Sequence, residues 1–303
     1  VQPAFHRQQI ERHVQTMAEL TTALLRDWQH SAARDQPIAV AEAMRQLTFR
    51  FVAKALFSTD PSAVIDRLEA SIITLLNTTW RSLQSPWHDF INRAPTRPQR
   101  EFAAALHCID DFITRMIADR RAQPATQPDL LTLLLAARDR DTGEGLADEE
   151  IRNECITLLI AGYDTTANAL AWAVHELAAH PHVAEALAQE ADTVLAGRSP
   201  TLLDLARLPL GRAVFLETLR LHPPIWILER NLDAPVNLAP WHLPAGTQVL
   251  ISPYILHRLP QCWPRAAEFV PERFVTSDVA ETNPAFLPFG AGPRTCVGQQ
   301  LAM

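Results

Sequence analysis

Residues Phe289-Gly290-Ala291-Gly292-Pro293-Arg294-Thr295-Cys296-Val297-Gly298 decide the reading of this chain. Three of the chain's 9 glycines fall inside this short stretch. Glycine gathers where φ must be positive or where backbone must approach another group closely. Here it surrounds a single cysteine, and residues 297–303 read as the opening of a helix, whose free amides stabilise negative charge on a nearby sulfur. Three roles fit such a cysteine: a nucleophile, a metal ligand or a structural turn residue. A nucleophile wants a histidine base close by, and none is evident in the surrounding sequence. Arg294, two residues upstream, suits an anionic group held near a thiolate. The balance favours a ligand and leaves the other two open.

Working back from this loop, residues 253–288 are rich in proline and carry little periodicity, a texture that in a compact domain usually serves a function. Short strands are expected at 225–228 and 247–251, with a turn at Pro244-Ala245-Gly246. Before them, apolar residues recur at three- and four-residue spacing, predicting helices over 5–28, 39–57, 62–83, 100–121, 129–138, 182–195 and 209–222. A loop is expected over 85–98 and a turn at Asp141-Thr142-Gly143-Glu144-Gly145. The longest element is a helix over about 148–180, with Asp148 as its expected N-cap, Glu149 and Glu150 at the positive end of its dipole and Pro181 as its stop. Its middle carries Ala161-Gly162-Tyr163-Asp164-Thr165-Thr166. A glycine and an acid inside a buried helix are locally unfavourable and call for a reason. A close helix crossing would explain Gly162; Asp164 beside Thr165 is harder to explain by packing.

Composition narrows the classes. The 303 residues suffice for one large core; 48% are hydrophobic and 20% charged, as in ordinary globular proteins. A net charge of −7 argues against nucleic acid, which needs a basic face. Cys108, Cys155, Cys262 and Cys296 form no C-x-x-C pair and have no histidines at zinc-site spacing. No apolar run reaches the ~18 residues of a membrane span. The chain opens at Val1 rather than methionine and stops at Met303, where a helix is beginning, so a piece of a longer protein is expected. A cytoplasmic location is favoured, with an N-terminal anchor in a preceding segment left open.

The loop matches, at every fixed position, the haem-binding signature F-x-x-G-x-R-x-C-x-G of the cytochrome P-450 family: Phe289, Gly292, Arg294, Cys296 and Gly298. Three further stretches resemble family motifs in the family's order. These are Ala161 to Thr166, Glu217-Thr218-Leu219-Arg220 (E-x-x-R), and Pro271-Glu272-Arg273-Phe274. The resemblance runs over nearly the whole chain and is strongest over 148–303. It implies a mainly α fold with a small β part, a single domain over 1–303 that is incomplete, and haem b (iron protoporphyrin IX) as cofactor.

By that resemblance Cys296 is the axial iron ligand, whose electron donation favours O–O cleavage. Arg294 pairs with a haem propionate, Phe289 shields the thiolate, and Arg230 stands where the family often has a second propionate-binding arginine. Gly162 makes room for dioxygen, Thr165 positions bound oxygen and its water, and Asp164 relays protons; Tyr163 occupies a variable position and is given no role. Glu217, Arg220 and Arg273 form a buried ionic network. Ala161, Ile225, Trp226, Ile227 and Leu228 line the substrate pocket, although strand packing explains the last four equally well. The implied activity is a haem-thiolate monooxygenase that inserts one atom of dioxygen into a small apolar substrate. Its electrons would come from a protein donor of the ferredoxin or flavoprotein reductase type. Two alternatives are a haem-thiolate isomerase or dehydratase acting on a peroxide, and an inactive truncated haem-binding fragment. The Asp164-Thr165 pair argues against the first and the intact cysteine loop against decay of the parent gene.

Overall fold

The amphipathic stretches of the first half fold as helices α1 (Arg7–Ala32), α2 (Val40–Phe57), α3 (Ile65–Leu83), α4 (Arg97–Ala122) and α5 (Leu130–Ala136). The computed structural model describes residues 7–83, 96–123, 129–139, 141–275 and 278–303. The expected helix start at residue 5 and most of the expected loop over 85–98 lie outside the described residues. Local chemistry sets the helix ends. Asp129 caps α5 by accepting from the Thr132 amide at 2.9 Å and also pairs with Arg120, which donates to the Phe57 carbonyl at 2.8 Å. Three elements are tied there by one guanidinium. The turn over 141–145 closes on Asp139, whose carboxylate accepts from the Asp141 and Thr142 amides, and Gly143 supplies the positive φ of 73°.

Long helix α6 (Asp148–Ala179) has 32 residues, about 48 Å at 1.5 Å per residue. Its cap differs from the expectation. The Ile151 amide donates to the Ala147 carbonyl at 3.0 Å and the Ala147 amide to the Glu150 carboxylate at 2.7 Å. Ala147 is therefore the boundary residue, and Asp148 lies within the first turn, where its carboxylate takes Arg121. At the other end Pro181 opens α7 (Pro181–Leu195), and the His180 ring donates from Nδ1 to the Glu176 carbonyl at 2.9 Å.

The chain gathers into two compact units, Val1–Asp164 and Thr165–Met303. In the first, α1 packs on α2, α2 on α3 and α5, and α3 on α4. Its core includes Phe49, Val52, Ile72, Ile109, Ile113 and Leu131, each contributing roughly 1.5–3 kcal/mol by leaving water. Ile151, Cys155, Leu159 and Tyr163, four residues apart along α6, form that helix's buried stripe. Burial pushes the Cys155 thiol up to about 12, so it sits in this core as a neutral apolar group.

The second unit holds α7, α8 (Pro209–Leu221) and four strands. Strand β1 (Leu228–Asn231) pairs antiparallel with β4 (Gln248–Ile251), and β2 (Val236–Leu238) with β3 (Trp241–Leu243). The strand expected over 225–228 starts only at its last residue. Leu228 opposes Ile251, and beyond Ile251 the chain turns away into the short helix α9 (Pro253–Leu256), capped by Ser252. Among the described residues no strand is paired with 225–227, and the Ser252 hydroxyl donates to the Trp226 carbonyl at 2.9 Å. Trp263, Phe274 and Phe286 form an aromatic cluster with Leu216 of α8. The tail carries two more short helices, α10 (Val279–Thr282) and α11 (Gln299–Ala302).

Candidate functional site

The cysteine loop is shaped by its own backbone. Gly290 and Gly292 take φ of 72° and 74°, where a side chain is strained, so both glycines answer a conformational need. A 3-10 turn over Gly292–Arg294 follows, closed by the Thr295 amide and hydroxyl on the Gly292 carbonyl at 3.0 and 2.8 Å. The Cys296 amide then donates back to the Phe289 carbonyl at 3.0 Å, making a closed loop with the cysteine at its exit. Gly298 has φ −87° as the cap of α11, so its backbone imposes no need for glycine. Cys296 and Arg294 are exposed and Phe289 is half-buried.

Sheet register sets the face on which Arg230 stands. Leu228, Arg230, Val249 and Ile251 share one face of the β1–β4 pair, since side chains alternate along a strand. Leu228 Cδ1 lies 3.9 Å from where a Cβ on Gly290 would stand. Arg230 is exposed and occupies the same sheet face as Leu228.

Glu217, Arg220 and Arg273 come together as a buried network. The Arg220 guanidinium donates twice to the Glu217 carboxylate (2.7 and 2.8 Å) and once each to the carbonyls of His257, Ala266 and Glu268 (2.7–2.9 Å). All five of its N–H groups are used, as full burial of a charge demands. Arg273 donates to Glu217 at 3.2 Å, and the Val270 amide donates to the same oxygen at 2.8 Å. Sequence reasoning passed over His257, which is wholly buried. The Leu287 amide donates to its Nε2 at 2.8 Å, so the ring proton sits on Nδ1 and faces the Arg220 carbonyl at 3.1 Å. No local motif marks this histidine, because its partners lie 37 and 30 residues away in sequence.

On α6, Ala161 and Asn168 are exposed, Asp164 and Thr165 half-buried, and Trp172 43% exposed. Ala161, Thr165, Asn168 and Trp172 recur at four, three and four residues and so share one open helix face. A Cβ on Gly162 would meet Val52 Cγ2 at 3.2 Å, so the close approach of α2 to α6 by itself favours glycine there. Tyr163 is buried edge-on against Phe49, ring centroids 5.4 Å apart. Of the expected pocket residues, Ile225 and Trp226 are 47% and 46% exposed, while Ile227 and Leu228 are half-buried. A cleft of about 280 Å³ between α1 and α2, lined by Leu24, Trp28, Ile38 and Leu47 among others, contains none of the expected site residues.

Among the described residues no three histidine, cysteine or acidic side chains gather to hold a metal ion. Cys296 therefore offers one exposed sulfur and no companion protein ligands. That donor set fits an iron whose equatorial ligands are supplied by a porphyrin, with Arg294 and Arg230 as cations for its carboxylates.

The cytochrome P-450 family model matches residues 1–303. Cyclooctatin synthase of Streptomyces melanosporofaciens is 38% identical over 307 residues, covering all of this chain and 66% of that protein. Cyclooctat-9-en-7-ol 5-monooxygenase of the same organism is 35% identical over 305 residues, with all of this chain and 65% of the relative covered. Pentalenene oxygenase of Streptomyces avermitilis is 35% identical over 309 residues, with 100% and 66% covered. The chain belongs to the cytochrome P-450 family, a family of haem proteins. It spans about two thirds of the length of the curated relatives it matches. No helix among the described residues is long and apolar enough to cross a membrane.

Proposed function

We propose that the full-length protein is a haem-thiolate monooxygenase that inserts one atom of dioxygen into an apolar organic substrate, drawing electrons from a protein donor. The observation that carries this reading is the closed glycine loop presenting Cys296 as a lone, exposed sulfur. When bound, the haem supplies the activation of dioxygen. The chain's own contributions are binding, orientation and proton handling. Cys296 would supply the sulfur that holds the haem iron, and the half-buried Phe289 would limit water at it. Arg294 and Arg230 take the propionates as charge-assisted pairs. The cysteines form no C-x-x-C-H attachment pair, which supports non-covalent haem b.

The half-buried Asp164 in the middle of α6 would relay protons, and the Thr165 hydroxyl would hold a proton donor by hydrogen bonding. Ala161, one turn before Thr165 on α6, is an exposed apolar group suited to an apolar substrate, as are Ile225 and Trp226. Two relatives are named for an alkenol, cyclooctat-9-en-7-ol, and for pentalenene, which favours an alkene-like carbon skeleton here as well. The test is the absorbance spectrum of the reduced, carbon-monoxide-bound full-length protein. A strongly red-shifted Soret band that disappears in Cys296→Ala is expected; a histidine-type spectrum in the wild type would overturn the assignment.

A further inference from the structure

We infer that His257 is a positioning residue for the cysteine loop, holding the stretch that leads to Cys296 against the buried Glu217–Arg220 pair by two hydrogen bonds from one neutral ring. The inference rests on the haem-thiolate reading above and adds to it the residue that sets where the sulfur stands.

The connections can be followed bond by bond. The Arg220 guanidinium donates to the His257 carbonyl at 2.8 Å, while the His257 ring returns a bond from Nδ1 to the Arg220 carbonyl at 3.1 Å. Residue 257 is thus clamped to α8 in both directions. The other ring nitrogen accepts from the Leu287 amide at 2.8 Å. From Leu287 the loop continues through its own bonds: the Gly290 amide to the Leu287 carbonyl at 3.2 Å, then the Cys296 amide to the Phe289 carbonyl at 3.0 Å. A chain of hydrogen bonds therefore runs from α8 to the cysteine, and the His257 ring links the Arg220 carbonyl to the Leu287 amide within it.

The ring has little freedom to do anything else. It is 0% exposed, tilted against Phe286 at 5.2 Å and set edge-on to Trp263 at 6.3 Å. Burial above all, and then the nearby charges of Arg220 and Arg258, disfavour a positive charge on the ring, so it stays neutral. Neither Phe286 nor Trp263 can replace the acceptor that Leu287 uses, and an unmet buried amide is costly. Pro288, next along the chain, has no N–H of its own, which leaves the Leu287 amide as the anchor at the loop's entrance.

Three variants of the full-length holoprotein separate this role from general support of the core. His257→Gln places an amide oxygen near the position of Nε2 and keeps the bond from Leu287. His257→Asn reaches the Arg220 carbonyl but falls short of Leu287. His257→Phe fills the space and makes neither bond. The readouts are the Soret position of the reduced carbon-monoxide complex, the haem reduction potential, and hydrogen exchange at the Leu287 amide. Expected are a wild-type-like spectrum and potential in His257→Gln. In His257→Asn at least half of the red-shifted band should move to shorter wavelength, and Leu287 exchange should rise tenfold or more. Should His257→Phe fail to retain haem, the Gln–Asn pair still decides. A red-shifted band and potential unchanged in His257→Asn would overturn the inference while leaving the haem-thiolate reading intact. Absence of the red-shifted band from the wild type itself would overturn both.

Discussion

Arg220 illustrates how much a single buried side chain can be asked to do. Five donors meet five acceptors, Trp263 lies under the guanidinium at 5.4 Å, and no part of the group reaches solvent. Lysine keeps the charge but has three donors and no planar fork, so Arg220→Lys leaves buried acceptors unmet. A loss of about 3 kcal/mol is expected, at the lower end for breaking a buried pair; urea unfolding of the full-length protein measures it, and a loss under about 1 kcal/mol would contradict this account. His257 gives a pH prediction from the same neighbourhood. Burial holds its folded pKa at about 4 against the ordinary 6.5, so the unfolded state binds the proton first as pH falls. Stability from this group is intact above 6.5, declines through the window between 6.5 and 4, and levels off below it, costing on the order of 3 kcal/mol in total. His222, also shifted down by burial, acts in the same direction. Comparing urea midpoints at pH 7 and pH 5 should show a smaller acid loss in His257→Gln than in the wild type. Equal losses would remove His257 as a source of the pH dependence.

Elements were legible in the sequence to the degree that their cause is local. The long helix and its proline stop follow from periodicity and one fixed φ, whereas its first residue depended on whether Glu150 would reach back to the Ala147 amide. The hairpin β2–β3 was missed altogether. Each strand is three residues long, and Val236, Leu238 and Trp241 stand 37%, 53% and 69% exposed, so there is too little alternation to read. For Gly162 a close helix crossing was among the readings the sequence offered, but not its partner, because Val52 lies 110 residues earlier. The packing explanation makes a signed prediction. Alanine at 162 gains about 1 kcal/mol of helix propensity but presses a methyl on Val52, a stiff β-branched side chain that cannot turn aside. Overpacking costs about 1–3 kcal/mol, so Gly162→Ala should lower stability by roughly 1 kcal/mol. With Val52→Ala as background the same change should become stabilising by about 0.5–1 kcal/mol. A double-mutant cycle in urea measures both steps, and failure of the sign to reverse would return Gly162 to a role outside packing.

At the scale of the whole molecule, the sequence carried the class and the site's motifs because four short patterns fall in family order along one chain, and the family match over 1–303 agrees. What it could not carry was side-chain direction. Ala161 and Thr165 belong to the open face of α6 while Gly162 and Tyr163 are taken up by packing, and only the helix's neighbours decide that. This division bears on turnover. If the Thr165 hydroxyl holds the proton donor at oxygen, removing it slows productive protonation without touching the sulfur ligand or the electron supply. Electrons then still enter, but leave as hydrogen peroxide. Thr165→Ala in the full-length protein should keep the red-shifted carbon-monoxide spectrum and consume reductant at a comparable rate. Product per electron pair should fall roughly tenfold or more, below the ~100-fold low end for a general acid because Thr165 only positions the donor. Thr165→Ser, which restores the hydroxyl, should recover most of the coupling. Matched measurements of reductant consumed, peroxide released and substrate oxidised test this. Unchanged coupling in Thr165→Ala would take the hydroxyl out of the mechanism and leave proton delivery to Asp164 by another route.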